Sequence, residues 1–131
     1  MRDVAVGWAG GKFAQNIEVA NHRIRSDEEA DKGGDDTGAT PHELLLAALG
    51  SCTAMTLKVY AERKGWPLRD VHVTLSGSSA NGDGGYVISR QIAIDGDLDA
   101  EQRQRLLEIA DKCPVHKTLK GEITINTSGA A

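Results

Sequence analysis

The fold depends most on residues 40–64, TPHELLLAALGSCTAMTLKVYAERK. The segment opens with a capping box, in which Thr40 is the N-cap, Pro41 the first helical residue and Glu43 the side chain that reaches back to the cap. An unbroken apolar run, Leu44 to Leu49, follows directly. Because a helix that is apolar on all sides of its first turns is normally covered on most sides, we expect a long, buried central helix.

Small residues fill the middle of this helix. Residues 47–54 read AALGSCTA, so a second helix could approach closely there, within one chain or between subunits. Together with the apolar run before it, this is more apolar surface than a chain of 131 residues easily covers. We therefore expect an obligate homodimer.

The residues before the helix predict strands and a loop. Short alternating apolar stretches within residues 3–26, broken by Gly10-Gly11, indicate an antiparallel hairpin or meander. Residues 26–39, SDEEADKGGDDTGA, are acidic and rich in glycine and have no apolar periodicity. We interpret them as a surface loop.

The residues after the helix predict two more strands, a second helix and a last strand. Alternation around Val71–Leu75 and from Tyr86 to Ile94 indicates a hairpin, with SGSSANGDGG (76–85) as its loop. A helix should begin after Asp99 and run to about Lys112, with Leu106, Ile109, Ala110 and Cys113 on its apolar face. A short helical turn at 114–119 and a strand at 122–126 complete the chain. This order predicts one α+β domain over residues 1–131, with the helices packed on an antiparallel sheet.

Composition excludes several classes of protein. The net charge is -4 and no run of Lys or Arg stands out, which argues against nucleic-acid binding. No uninterrupted apolar stretch approaches the roughly 20 residues that cross a bilayer. The N-terminus lacks the apolar region of a secretory signal. We expect a soluble, cytoplasmic protein that binds no membrane.

The two cysteines occupy different local environments. Cys52 lies in the middle of the long helix, where the helix dipole gives a thiolate no support, so a reactive Cys52 would need a nearby cation. Cys113 directly precedes Pro114 and can cap the following turn, where backbone N–H groups favour an anion. From the counts alone, the simpler interpretation is that both cysteines are small buried hydrophobic residues. The sequence spacing does not show that they meet.

The histidines raise a metal-site alternative. Cys113 and His116 have a C-x-x-H spacing, and Cys52 could be a third ligand. Structural zinc sites usually combine two such paired elements, and this chain has only one. We therefore expect no metal and no other cofactor, and we interpret His116 as a neighbour of Cys113. The remaining histidines are His22, His42 and His72.

Two distant motifs together resemble the OsmC/Ohr family, named for osmotically induced and organic hydroperoxide resistance proteins. The first is GGDDTGATPHELLLAALGSCTAMTLKVYAERKGWPL (33–68), and the second is CPVHKTLKG (113–121). Cys-Pro alone would mean little, but a Pro-x-Glu-led helix with a small-small-Cys step, followed far along the chain by Cys-Pro-Val, is fairly specific. The similarity extends from about residue 20 to residue 126.

The resemblance implies an intertwined homodimer with two sites at its interface and a role in oxidative stress. It implies that Cys52 attacks an organic hydroperoxide as a thiolate and becomes a sulfenic acid. Cys113 then condenses with Cys52 to a disulfide, which a dithiol reductant reopens. Such a peroxidase needs no metal.

Two further site residues are predicted from the resemblance, although the sequence departs from the family pattern at both. Many relatives have Glu directly after the helix-initial proline, where this chain has His42 followed by Glu43. Ten helical residues rise about 15 Å, so any role of Glu43 at Cys52 would run through an arginine. The family's activating arginine comes from the N-terminal strands, and we favour Arg23, with Arg25 on the same strand face as the alternative. Arg90 is a third choice.

Two other functions stay open. The chain could be a non-enzymatic redox-sensing or small-ligand-binding dimer that keeps the cysteines without fast turnover. It could also be a structural dimer in which both cysteines are inert.

Overall fold

The computed structural model describes residues 1–79 and 84–130. Over these residues the chain forms two antiparallel sheets and three α-helices, which confirms the α+β class. The chain separates into two compact units, Met1–Leu45 and Leu46–Ala131. The single domain and the homodimer stay predictions.

The first unit contains a three-stranded meander. Strands β1 (Ala5–Trp8), β2 (Gln15–Val19) and β3 (His22–Ser26) pair in sequence order, each antiparallel to the next. Gly10 and Gly11 both have positive φ in the β1–β2 connection, as a tight turn requires. The predicted meander is confirmed.

The loop after β3 is more ordered than its composition indicates. A 3₁₀ turn forms at Ala30–Lys32. Asp27 is only 3% exposed, and its carboxylate accepts hydrogen bonds from the Glu28 N–H at 2.7 Å, the Thr37 N–H at 3.0 Å and the Thr37 hydroxyl at 2.6 Å. The predicted surface loop therefore has a buried anchor. Composition did not reveal this anchor, because Asp27 resembles its acidic neighbours in sequence.

Helix α1 spans Pro41–Lys64, and both of its ends follow from the sequence. The Thr40 N–H donates to Glu43 Oε1 at 2.8 Å, and the Glu43 N–H donates to Thr40 Oγ1 at 3.2 Å, which confirms the capping box. At the other end Gly65 has φ of 70°, a conformation that glycine adopts without strain.

Within the single chain, α1 is buried on one face. Five residues of α1 are buried: Leu49, Gly50, Thr53, Leu57 and Ala61. These positions recur every three or four residues and so form one face. On another face Met55 is 67% exposed and Val59 45% exposed. One chain supplies packing partners for only one side of an all-round apolar helix.

Helix α1 is also long and apolar enough, by length and composition alone, to cross a membrane. Polar and small residues interrupt its apolar run, so the length of that run does not indicate a membrane span. The core helix of a soluble protein meets the same criterion, so this single helix is weak evidence for a membrane span.

The second unit contains a long hairpin and two short helices. Strands β4 (Leu68–Ser79) and β5 (Tyr86–Gly96) pair antiparallel, up to the Ser79–Tyr86 pair. Residues 76–79 of the predicted hairpin loop are therefore strand, because cross-strand pairing overrides their low β-propensity. Residues 80–83 of that loop lie outside the described residues.

The two helices that follow agree with prediction. Helix α2 spans Ala100–Ala110 and begins with a capping box between Asp99 and Gln102. Helix α3 spans Pro114–Lys120, directly after the N-cap Cys113.

The hydrophobic core of the second unit lies among α1, the hairpin and α2. Its buried members are Leu57, Ala61, Leu68, Leu98, Leu106, Ile109 and Ala110. The predicted apolar face of the second helix is thus confirmed: Leu106, Ile109 and Ala110 are buried, and so is Cys113 beyond it. Cys52, in the middle of α1, and Cys113, in the segment after α2, therefore lie in the same unit.

The predicted last strand at 122–126 is wrong. Residues 122–130 have no regular structure, and Ile123 and Ile125 are 56% and 82% exposed. Alternating isoleucines favour a strand, but a strand also needs a neighbour to accept its hydrogen bonds. The described residues of this chain supply no such neighbour for 122–126.

Candidate functional site

Helix α3 brings the two cysteines to one site. The Val115 N–H donates to Cys52 Sγ at 3.5 Å, and the His116 N–H donates to Cys113 Sγ at 3.3 Å. Both cysteines are free thiols. Cys52 thus accepts from α3 a hydrogen bond that its own helix α1 does not give it.

The two sulfurs differ in their access to solvent. Cys113 is completely buried, whereas Cys52 is partly exposed. Only Cys52 can therefore meet a dissolved molecule without a structural change.

An open pocket of about 710 Å³ lies over Cys52. Its walls are mainly apolar: Ala48, Met55 and Val59 come from α1, Ile109 from α2, and Pro114 and Val115 from α3. Arg63 and Lys112 are the charged residues that line it. The volume is within the range of small-ligand sites, and the lining suits an apolar molecule that presents a polar group to Cys52.

Tyr60 also lines this pocket and has a perturbed hydroxyl. Arg105 Nε donates to the Tyr60 hydroxyl oxygen at 3.1 Å, and this hydrogen bond lowers the pKa of Tyr60. The charges of Arg105, Lys64 and Lys112 lower it further. The Tyr60 hydroxyl is thereby a stronger hydrogen-bond donor than an isolated phenol.

A polar cluster lies on the other side of the cysteines. Arg90 Nη1 donates to Thr53 Oγ1 at 2.9 Å, and Arg90 Nη2 donates to Asp111 Oδ1 at 2.9 Å. Arg90 Nη2 also lies 3.2 Å from His116 Nδ1. The hydroxyl of Thr53, which is fully buried, is 3.8 Å from Cys113 Sγ. We call Arg90, Thr53, Asp111 and His116 together the Arg90 network.

The other predicted site residues lie in the first unit. Arg23 forms an exposed ion pair with Glu18 at 2.6 Å, and Arg25 Nε donates to Thr37 Oγ1 at 3.0 Å. Glu43 forms the capping box of α1. The roles predicted for Arg23 and Glu43 stay predictions.

No group of three or more His, Cys, Asp or Glu side chains among residues 1–79 and 84–130 could hold a metal ion. The C-x-x-H spacing of Cys113 and His116 places these two residues in direct contact. The His116 backbone N–H donates to Cys113 Sγ, and its Nδ1 faces Arg90.

Reasoning from the sequence missed three features of the site. These are the N–H of Val115 on Cys52, the buried hydroxyl of Thr53, and the central place of Arg90 in the cluster. One signal was available. A threonine next to a cysteine in a run of small apolar residues is a polar group that needs partners when the helix packs.

Comparisons with known proteins agree with this architecture. A family model described as OsmC-like protein matches residues 33–128. Among curated proteins, none matches the chain. The structure resembles an OsmC-like protein of Mycoplasma pneumoniae, with a TM-score of 0.78 and 20% identity over 92% of this chain and 88% of that chain.

Two further solved structures are described by an activity. An organic hydroperoxide resistance protein OsmC of Legionella pneumophila has a TM-score of 0.70 and 20% identity over 91% of this chain and 90% of that chain. The organic hydroperoxide resistance protein OhrB of Bacillus subtilis has a TM-score of 0.65 and 23% identity over 92% and 91%. At these identities the similarity establishes the fold alone.

Proposed function

The chain belongs to the OsmC-like protein family, and from this premise we propose that it is a thiol peroxidase that reduces organic hydroperoxides. The observation that carries the proposal is the position of Cys52. Its sulfur is partly exposed in an apolar pocket, and the helix that begins after Cys113 donates an N–H to it.

The proposed reaction begins with the Cys52 thiolate. It attacks the terminal oxygen of the hydroperoxide, the O–O bond breaks, and the alkoxide takes up a proton and leaves as an alcohol. Cys52 is now a sulfenic acid. The Cys113 sulfur then attacks the Cys52 sulfur, the S–O bond breaks, and hydroxide leaves as water with the proton of the Cys113 thiol. A dithiol reductant reopens the Cys52–Cys113 disulfide by thiol–disulfide exchange.

The difference in exposure supports this assignment of roles. Like Cys52, Cys113 accepts one backbone N–H, from His116. Its complete burial, however, hides it from a dissolved peroxide. Buried next to the site, Cys113 is better suited to capture a sulfenic acid formed on Cys52 than to meet the substrate.

The lining of the pocket supports an organic substrate. Burial of an alkyl chain against Met55, Val59 and Ile109 gains about 0.8 kcal/mol for each CH₂ group. Hydrogen peroxide has no alkyl chain, so it gains no such free energy of burial in the pocket. We therefore propose that alkyl and aryl hydroperoxides are reduced in preference to hydrogen peroxide.

We also propose that the working form is a homodimer in the cytoplasm. The exposed apolar residues of α1 and of the C-terminal segment could pack against a second copy of the chain, which would bury them. The cytoplasm keeps thiols reduced, so it supplies the dithiols that the cycle consumes.

The pocket favours one alternative, a redox-sensing or small-ligand-binding dimer. A volume of about 710 Å³ is enough for a bound small molecule whether or not chemistry follows. Such a protein would lose thiols to peroxide without sustained turnover.

A thiol titration tests the proposal and separates the alternatives. The reduced protein is mixed with one equivalent of cumene hydroperoxide, and its thiols are followed by non-reducing mass spectrometry; turnover is measured with dithiothreitol as the reductant. Rapid loss of both thiols with sustained turnover is the expected result. Loss without turnover indicates a sensor, and no loss indicates that the cysteines are inert.

A further inference from the structure

We propose that Arg90 is a positioning residue for Cys113 and acts through Thr53 and His116 on the resolving step. The inference rests on the proposed function and goes beyond it, because it assigns a role in the second step to residues outside the substrate pocket. The Arg90 side chain is only 12% exposed, and its guanidinium bridges two elements, α1 through Thr53 and α3 through His116. These two elements hold the Cys113 sulfur between them.

The hydrogen-bonding capacity of Thr53 fixes the orientation of the Cys113 thiol. A hydroxyl has one proton to donate and two lone pairs that accept. The Thr53 hydroxyl donates its proton to the Leu49 carbonyl oxygen at 2.7 Å, and one lone pair accepts from Arg90 Nη1. The contact with Cys113 Sγ at 3.8 Å is therefore made with the S–H of Cys113 as the donor.

The second arm of Arg90 holds the start of α3. An arginine can only donate, so His116 Nδ1 is the acceptor in the 3.2 Å contact. The backbone N–H of the same histidine donates to Cys113 Sγ. Asp111, which accepts from Arg90 at 2.9 Å, balances the charge of the guanidinium.

Arg90 therefore fixes both hydrogen-bond partners of the Cys113 sulfur. Thr53 accepts from that sulfur and His116 donates to it, and Arg90 contacts both. Condensation with the Cys52 sulfenic acid requires the Cys113 sulfur in line with the breaking S–O bond. A displacement of about 1 Å can slow such a step by roughly 100-fold. The first step uses Cys52 and the peroxide, which meet in the pocket, and does not need this alignment.

The test separates the two steps in single-turnover experiments. Arg90→Lys keeps the charge but loses the fork that reaches Thr53 and His116 together. Thr53→Val keeps the volume but loses the hydroxyl, whereas Thr53→Ser restores it. Arg69→Lys is the control, because Arg69 forms a similar pair with Asp95, at 2.8 Å, on the hairpin. Cysteine sulfenic acid is trapped with a dimedone-type probe at successive times after one equivalent of cumene hydroperoxide, and the disulfide is measured by mass spectrometry.

We expect Arg90→Lys and Thr53→Val to form Cys52 sulfenic acid within about twofold of the wild-type rate and to convert it to the disulfide 10- to 100-fold more slowly. Thr53→Ser and Arg69→Lys should match the wild type in both steps. Circular dichroism and thermal melting establish that each variant is folded. Conversion at the wild-type rate in both Arg90→Lys and Thr53→Val would overturn the proposal. So would an equal slowing of sulfenic acid formation, which would place the action of Arg90 on Cys52.

A second arm keeps this proposal separate from the peroxidase proposal. The azo compound diamide adds to a thiol, and a second thiol then displaces the reduced hydrazine, so that an S–S bond forms as an S–N bond breaks. This arm uses the same attack by Cys113 without any peroxide. One outcome is that the wild type fails to react with peroxide and still forms the Cys52–Cys113 disulfide with diamide. In that case slower disulfide formation in Arg90→Lys supports the positioning role, and an unchanged rate of disulfide formation contradicts it. Absence of the disulfide in the wild type also overturns it.

Discussion

The two cysteines each accept one backbone N–H but differ in their access to solvent. Cys113 receives an N–H from His116 but is completely buried, whereas Cys52 receives one from Val115 and is partly exposed. Because a bimolecular reaction with peroxide first requires contact, access decides which thiol reacts first. The proposed order, in which Cys52 attacks the peroxide and Cys113 then attacks Cys52, rests on this difference in access.

The serine variants of the two cysteines should fail differently. In Cys52→Ser the nucleophile is gone, so Cys113 should remain a reduced thiol after brief exposure to one equivalent of hydroperoxide. In Cys113→Ser, Cys52 should be trapped as sulfenic acid and pass to sulfinic acid with excess oxidant. Peptide mass spectrometry with a dimedone-type probe measures both outcomes. Label on Cys113 in the first variant, with none on Cys52 in the second, would reverse the roles.

The hydrogen bonds to the buried Asp27 carboxylate determine how it contributes to stability at different pH values. The hydrogen bond from the Thr37 hydroxyl is the largest cause that lowers the pKa of Asp27, and the N–H groups of Thr37 and Glu28 lower it further. The folded-state pKa is therefore below the ordinary value of 3.8. It follows that Asp27 stabilises the fold fully above that value, and that this contribution is lost as the pH falls through it towards the folded-state pKa.

Asp27→Asn should lower the free energy of unfolding at pH 7, because the amide has only one oxygen to accept three hydrogen bonds. The difference from the wild type should shrink as the pH falls below about 4, where the wild-type carboxylate becomes protonated. Denaturant unfolding from pH 7 to pH 2 measures this. Asp3→Asn, at an exposed position near the N-terminus, is the control and should change little. A difference that stays constant over the whole pH range would contradict the role assigned to the Asp27 charge.

At the scale of elements, one arginine fixes the corner between β5 and α2. Arg103 donates to the carbonyl oxygens of Ile94 at 2.7 Å, Gly96 at 2.8 Å and Leu98 at 3.2 Å. These carbonyls belong to the end of β5 and the turn before α2. Because α2 leads directly into Cys113, this corner also sets where the buried cysteine lies.

Arg103→Lys should destabilise the protein by about 2–3 kcal/mol, because an ammonium group cannot reach three carbonyls and leaves partly buried acceptors unsatisfied. Arg69→Lys changes an exposed ion pair and should lower the free energy of unfolding much less. Urea unfolding of both variants at pH 7 gives the comparison. Equal losses in the two variants would show that the corner does not depend on the fork of Arg103.

At the scale of the whole molecule, both units expose apolar side chains. The first unit exposes Val4, Val6, Trp8, Phe13 and Ile24, and the second exposes Met55, Val59, Ile123 and Ile125. Single exposed apolar residues are ordinary on a protein surface. Here, however, the exposed residues include one face of α1 and the C-terminal segment, whose isoleucines alternate as in a strand. Such surfaces are typical of subunit interfaces.

We expect sedimentation velocity at micromolar concentration to give a species of about 28 kDa, twice the 13.9 kDa of the chain. Met55→Glu places a charge on the exposed face of α1 and should shift the protein towards the monomer, since burial of an unpaired charge is unfavourable. Glu62→Gln, on an exposed polar position of the same helix, should remain dimeric. A folded wild-type monomer at micromolar concentration would contradict the prediction.

The sequence by itself determined the three helices and where each begins. The α1 capping box of Thr40 and Glu43, the α2 capping box of Asp99, and the break at Pro114 all follow from interactions within a few residues. The strand pairs β1–β2–β3 and β4–β5 join neighbours in the chain, so alternation and turn residues were sufficient to predict them. The α+β class follows from the order of these elements.

The tertiary structure alone decided what surrounds each cysteine. The contacts of Val115 with Cys52 and of Arg90 with Thr53 join residues 63 and 37 positions apart, and no local pattern encodes such a separation. The same limit explains the exposed face of α1 and the wrong prediction of a strand at 122–126. An all-round apolar helix and an alternating C-terminal segment each indicate that a partner surface exists, but not which part of the chain supplies it. Local propensity is a property of neighbouring residues, whereas burial and access depend on every element that packs around a site.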